Sequence, residues 1–115
     1  MTAARHLAAF FFALALYLAI HVCIPTSVYA QGTVSGTVLN SRNVPIPGLM
    51  VSLVHPIVGR SHPSFTDPLG RFVFFNVPIV SNPYYLEVYW GRDLLYRRAL
   101  LVNAPSVPVS TIVLR

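Results

Sequence analysis

Any chemistry in this 115-residue chain has to come from a short set of side chains. His55, His62 and Asp67 fall near one loop and its flanking strands, and two imidazoles with a carboxylate could hold a transition metal. Their spacing is looser than that of a closed metal site, and a histidine at a strand end or before a proline is ordinarily solvated. Turn polarity is therefore expected for all three, and no metal or cofactor is implied. Asp67, Glu87 and Asp93 are the only acids, and they do not assemble into a general acid/base pair. No serine sits in a glycine-flanked elbow, and the single cysteine, Cys23, lies in an N-terminal segment expected to be removed. The pattern points away from catalysis.

Binding chemistry is better supplied. Phe75, Tyr85, Tyr89 and Trp90 form an aromatic surplus, and strand alternation turns Phe75, Tyr85 and Tyr89 away from the core, with Trp90 at a strand end. Such a surface could meet a protein partner or stack against a sugar, although aromatic pairs also serve simply to stiffen a sheet. Arg97 and Arg98 occupy opposite faces of one strand. Either could grip a carboxylate of a partner or an acidic glycan, and arginine on an edge strand also discourages aggregation.

The elements that must position these residues begin after a leader. Arg5 and His6 precede an apolar run of 18 residues from Leu7 to Ile24, followed by Pro25-Thr26-Ser27 and Val28-Tyr29-Ala30. This is the layout of a secretory signal peptide, expected to be cut between Ala30 and Gln31, against the alternative of a retained anchor. Residues 1–30 thus read as signal peptide and 31–115 as one domain, exported to a bacterial periplasm or beyond the cell and meeting the membrane only through the leader.

Without Arg5 the chain keeps seven arginines against three acids, a net charge of +4. The arginines are dispersed at 42, 60, 71, 92, 97, 98 and 115, so no basic stripe recommends a nucleic-acid partner. With no cysteine after the leader, stability must come from dense apolar packing, because a domain of this size buries only about 60–65% of its unfolded surface.

After residue 30 the apolar residues recur with period two, and no helical period appears. Strands are expected at Thr33–Leu39, Leu49–His55, Ser64–Thr66, Arg71–Phe75, Tyr84–Trp90 and Leu94–Leu101. A seventh should start at Val107 or Val109 and run to Leu114. Asn40 to Gly48 is a loop, 57–63 is a polar loop, and Asp67-Pro68-Leu69-Gly70 is a tight corner feeding Phe72 and Phe74 inward. Gly36 should mark the close approach of a neighbour. Together these elements predict an all-β fold, a seven-stranded antiparallel Greek-key sandwich.

Four blocks carry a resemblance: Val34-Ser35-Gly36-Thr37-Val38, then Pro45 to Leu53, then Thr66 to Pro78, and finally Tyr84-Tyr85-Leu86-Glu87-Val88. In order and spacing they resemble the carboxypeptidase regulatory-like domain family, whose fold is a transthyretin-like (prealbumin-like) sandwich. The match covers about residues 33–90 and departs at Pro78-Ile79-Val80-Ser81-Asn82-Pro83, a longer corner than relatives have. The resemblance implies a non-catalytic module found on exported bacterial proteins. The expected function is a binding or structural accessory to an envelope or secreted protein. Carbohydrate binding through exposed aromatics and small-ligand carriage of the transthyretin type are the alternatives.

Overall fold

The computed structural model describes residues 29–115, so the leader, apart from Tyr29 and Ala30, lies outside the described residues. The described chain is all β. Its strands are β1 (Gln31–Asn40), β2 (Met50–His55), β3 (Gly59–Arg60), β4 (Ser64–Phe65), β5 (Arg71–Pro78), β6 (Tyr84–Trp90), β7 (Asp93–Leu100), β8 (Ser106–Pro108) and β9 (Ile112–Leu114). One sheet runs β5-β1-β8 with β9 also on β1; the other runs β3-β2-β6-β7 with β4 also on β2.

The core sits between the two layers because every second side chain of the long strands is apolar. Val34 and Val38 of β1, with Phe72, Phe74 and Val77 of β5, face Val51 and Leu53 of β2 and Tyr84, Leu86 and Val88 of β6; all are buried. Phe72 and Phe74 meet edge to face at 6.0 Å. Gly36 is required by this packing, since a Cβ there would lie 2.5 Å from the Phe72 ring. The inward set expected from alternation, Phe72, Phe74, Tyr84, Leu86 and Val88, is the set observed.

Strand count and direction depart from expectation at three places. The 57–63 segment is not purely loop, because Gly59–Arg60 pairs antiparallel with Val54–His55. The seventh strand is two: Pro108 can donate no ladder bond, and the chain pairs with β1 on either side of a break, as β8 and β9. Both of these pairings are parallel, so the sandwich has nine strands and is not antiparallel throughout.

The corner at Asp67 is built as its residue types require. Gly70 N donates to Asp67 O at 2.8 Å, and Asp67 Oδ1 accepts from Leu69 N at 2.9 Å and Arg71 N at 2.8 Å. The Arg71 amide bond is the main reason the Asp67 carboxyl is held below its usual value of 3.8. A depressed folded value means that the stabilisation is complete above the unfolded value and is lost as pH falls through the folded one. We therefore expect the urea midpoint of the protein to fall as pH is lowered below about 4, and Asp67→Asn to flatten that fall. An unchanged slope in the variant would remove this role.

Thr66, buried behind the corner, ties the preceding loop to it: its hydroxyl donates to Ile46 O at 2.7 Å and accepts from Leu49 N at 2.9 Å.

Candidate functional site

The outer face of the β2-β6-β7 sheet collects the polar chemistry. Register places Ser52, Glu87 and Arg97 side by side across three strands. Tyr85, Glu87 and Tyr89 alternate outward along β6, the central member of the three. Glu87 is only 7% exposed, so its carboxylate must be compensated. Arg60 Nη2 lies 3.2 Å from Oε1, Arg97 Nε lies 3.5 Å from Oε2, and the Tyr89 hydroxyl donates to Oε1 at 2.9 Å. The Arg97 guanidinium also lies over the Tyr85 ring, 4.2 Å from its centroid.

This arrangement decides what Tyr85, Tyr89 and Arg97 can do. All three share one face, as alternation predicts for Tyr85 and Tyr89 and as register adds for Arg97, but they are engaged with one another: the Tyr85 ring is capped by a cation and the Tyr89 hydroxyl is tied to Glu87. One face of the Tyr85 ring is thus covered, and the Tyr89 hydroxyl is not free to bond a sugar. The network joins β3, β6 and β7 and acts as a clamp across the sheet. Glu87→Gln keeps the volume and removes the charge, and both arginines are about half exposed, which tempers the loss. We expect a destabilisation of about 1–2 kcal/mol in low salt, and screening should narrow the gap in 1 M NaCl. Equal urea midpoints for the two proteins in low salt would show the clamp to be idle.

The other predicted residues lie apart. Arg98 projects from the opposite side of β7, between Tyr96 and Leu100, which pack against the core. Phe75, 70% exposed, belongs to the other sheet. It stands where Phe75 and Asn76 together oppose Thr33 in a bulge, with Asn76 at φ 56°. This bulge borders a cleft of about 330 Å³ between the 58–64 segment and β5, floored by Leu53, Phe74, Val77 and Tyr84.

Trp90 does reach solvent freely, at 60% exposure, and it is joined by Phe65 at 61%. Both come to one end of the sheet because Met50 pairs with Phe65 on one side and with Tyr89, the neighbour of Trp90, on the other. Trp90, Phe65 and Met50, with Gly48 and Gly91, line a shallow depression at the end of the sheet. Phe65 was not singled out by the sequence, since a two-residue strand shows no alternation from which to read its face.

The histidines separate sharply. His62 is exposed, as expected. His55 is not solvated: it is 2% exposed, its ring 4.9 Å from that of Tyr84, and its Nδ1 accepts from Ile57 N at 3.1 Å and Val58 N at 3.2 Å. Its Nε2 has no partner, and a buried unpaired donor costs about 1–3 kcal/mol. Its burial arises from the 79–83 corner and the tail before β1, which no local pattern reveals. Beside it, burial first and the Tyr29 phenol second push the Tyr84 hydroxyl above its usual 10.0. Among the described residues, no three His, Cys, Asp or Glu side chains gather as metal ligands.

No protein-family model matches the chain, and no curated protein matches it. Solved structures do. The major pilin subunit of Bacillus cereus matches with a TM-score of 0.54 at 16% identity over 75% of this chain, which spans 30% of that subunit. The dioxygenase domain of a dioxygenase carbohydrate-binding protein fusion from the cellulolytic bacterium Streptomyces sp. SirexAA-E matches with a TM-score of 0.55 at 16% identity, covering 79% of this chain and 84% of that one. A 9R-lipoxygenase from Cyanothece PCC8801 matches with a TM-score of 0.50 at 16% identity, covering 79% of this chain and 17% of its own. At these identities the likeness is one of fold: the chain is similar to β-sandwich domains that serve a pilus subunit and two enzymes.

Proposed function

We propose that this protein is an exported, non-catalytic β-sandwich module that docks onto an envelope or secreted protein, in line with its resemblance to carboxypeptidase regulatory-like domains. One observation carries the reading. Two carboxylates are satisfied within the chain, Glu87 by Arg60, Arg97 and Tyr89, and Asp67 by its own turn, whereas Trp90 and Phe65 stand open beside one apolar depression. An uncommitted aromatic pair of this kind is what a protein interface uses as an anchor.

The test is a photo-crosslinking residue placed at Leu94, which pairs with Tyr89 on the same sheet end. In the native host it should give a reproducible adduct that is lost in the Phe65→Ser, Trp90→Ser double variant. Absence of any adduct from this position, with the protein exported and folded, defeats the reading.

A second reading, carbohydrate binding, moves to the same place. Trp90 and Phe65 rather than Tyr85 and Tyr89 would stack on a sugar, because their exposed rings line one depression while Tyr85 is capped by Arg97 and Tyr89 is bonded to Glu87. Retardation in polysaccharide gels that vanishes with Trp90→Ala supports it, and unchanged mobility in every polymer ends it.

A further inference from the structure

Among the described residues, His55 Nε2 is the one buried side-chain nitrogen or oxygen without a hydrogen-bond partner. Because Nδ1 accepts two backbone N–H groups, the neutral ring carries its proton on Nε2. That nitrogen is therefore a donor lacking an acceptor oxygen, and in this tautomer it offers no lone pair to a metal.

His55 lines a cavity of about 300 Å³ together with Tyr29, Ile57, Ile79, Val80 and Asn82. The residue after Tyr29 is fixed as well: Ala30 O accepts from Ile79 N at 2.7 Å, which extends the β1–β5 ladder one step beyond the Gln31 and Pro78 pair. The chain thus shows what this place accepts along one side, an aromatic residue forming a wall of the cavity and a small residue bonded to the ladder.

We infer that this cavity is a docking site for an extended peptide segment bearing an aromatic residue followed by a small one. Tyr29 forms one wall of it in the uncut chain, and cleavage after Ala30 takes that wall away and widens the cavity for a partner's segment. The inference rests on the reading that the leader is removed. The incoming segment offers what the vacated site lacks: a ring to pack beside Tyr84 and Ile57, a carbonyl for Ile79 N, and an oxygen within reach of His55 Nε2–H. A partner sequence ending in a free carboxylate suits the donor best, since a charged acceptor strengthens the bond.

The experiment uses the processed protein recovered after export, with its first residue read by mass spectrometry. The probe is the synthetic hexapeptide of residues 25–30, Pro-Thr-Ser-Val-Tyr-Ala, titrated while amide and histidine ring resonances are followed by NMR. The expected result is saturable binding with a Kd of about 1 mM or below. Shifts should be confined to His55, Ile57 and residues 79–82. The Tyr29→Ala peptide should bind about tenfold more weakly, and so should the native peptide to an Ile57→Glu protein, a change at an exposed rim position that leaves the core intact.

No saturable change at several times that concentration, or equal binding of the Tyr29→Ala peptide, overturns the inference. A processed chain that still begins before Tyr29 overturns the opening of the site, while the Trp90 and Phe65 crosslinking result stands or falls independently.

Discussion

Phe72→Ala lowers the unfolding free energy by about 3–5 kcal/mol. The ring is buried at the centre of β5, in edge contact with Phe74 and directly over Gly36, whose missing side chain exists to admit it. Alanine leaves a void bounded by β-sheet backbone on one side, which cannot collapse inward without breaking the β1–β5 ladder. A domain of this size has a total stability on the order of 5–10 kcal/mol, so the variant should unfold at a far lower urea concentration and approach the unfolded state at body temperature. Gly36→Ala added to Phe72→Ala should recover part of the loss, because its Cβ then enters the vacated space; alone it should destabilise, because that Cβ meets the ring. If the double variant is as unstable as the sum of the single ones, the two residues do not share one space.

Gly70→Ala should cost about 3 kcal/mol through a different mechanism. Gly70 closes the Asp67 corner at φ 73°, a backbone conformation that residues with a side chain rarely adopt, and an added Cβ would lie 2.4 Å from the carbonyl oxygen of Val38. That contact is with backbone, and the same β1 segment receives the corner through the 2.8 Å bond from Val38 N to Gly70 O. Relief therefore requires moving a core strand or opening the turn. Gly91, also at positive φ but with nothing near its missing Cβ, is the control: Gly91→Ala pays only for its dihedral and should cost about 1 kcal/mol. Thermal unfolding of the two variants side by side checks the difference, and equal melting temperatures would remove the claim that the Val38 contact matters.

The candidate surfaces were legible to different depths. Alternation from Phe72 and from Tyr84 names the buried face of β5 and β6 without reference to any other strand, and the same alternation puts Tyr85, Glu87 and Tyr89 on one outward line. It does not say that Arg60 reaches Glu87, because Arg60 stands in a segment with no apolar period and arrives only through the β2–β3 hairpin. Nor does it say that Arg97 caps Tyr85, which depends on the register between β6 and β7 and on the irregularity at Val88 and Tyr89. The aromatic residues most conspicuous in the sequence are thus the less available ones, and Phe65, from a strand of two residues, supplies the partner that Trp90 has on the surface.

By itself the sequence determined the class of fold, most of the places where the chain turns, and which side of β1, β5 and β6 goes inward. Those are properties of neighbouring residues: a period of two, a proline without an N–H, a glycine able to take positive φ. Tertiary structure alone decided that His55 is sealed off with an unanswered N–H, that β8 and β9 run parallel to β1, and that Glu87 is locked between two arginines. Each of these depends on which distant strands lie side by side and how their closing loops fold over them, and that choice is made by the summed packing of the whole sandwich rather than by any single segment.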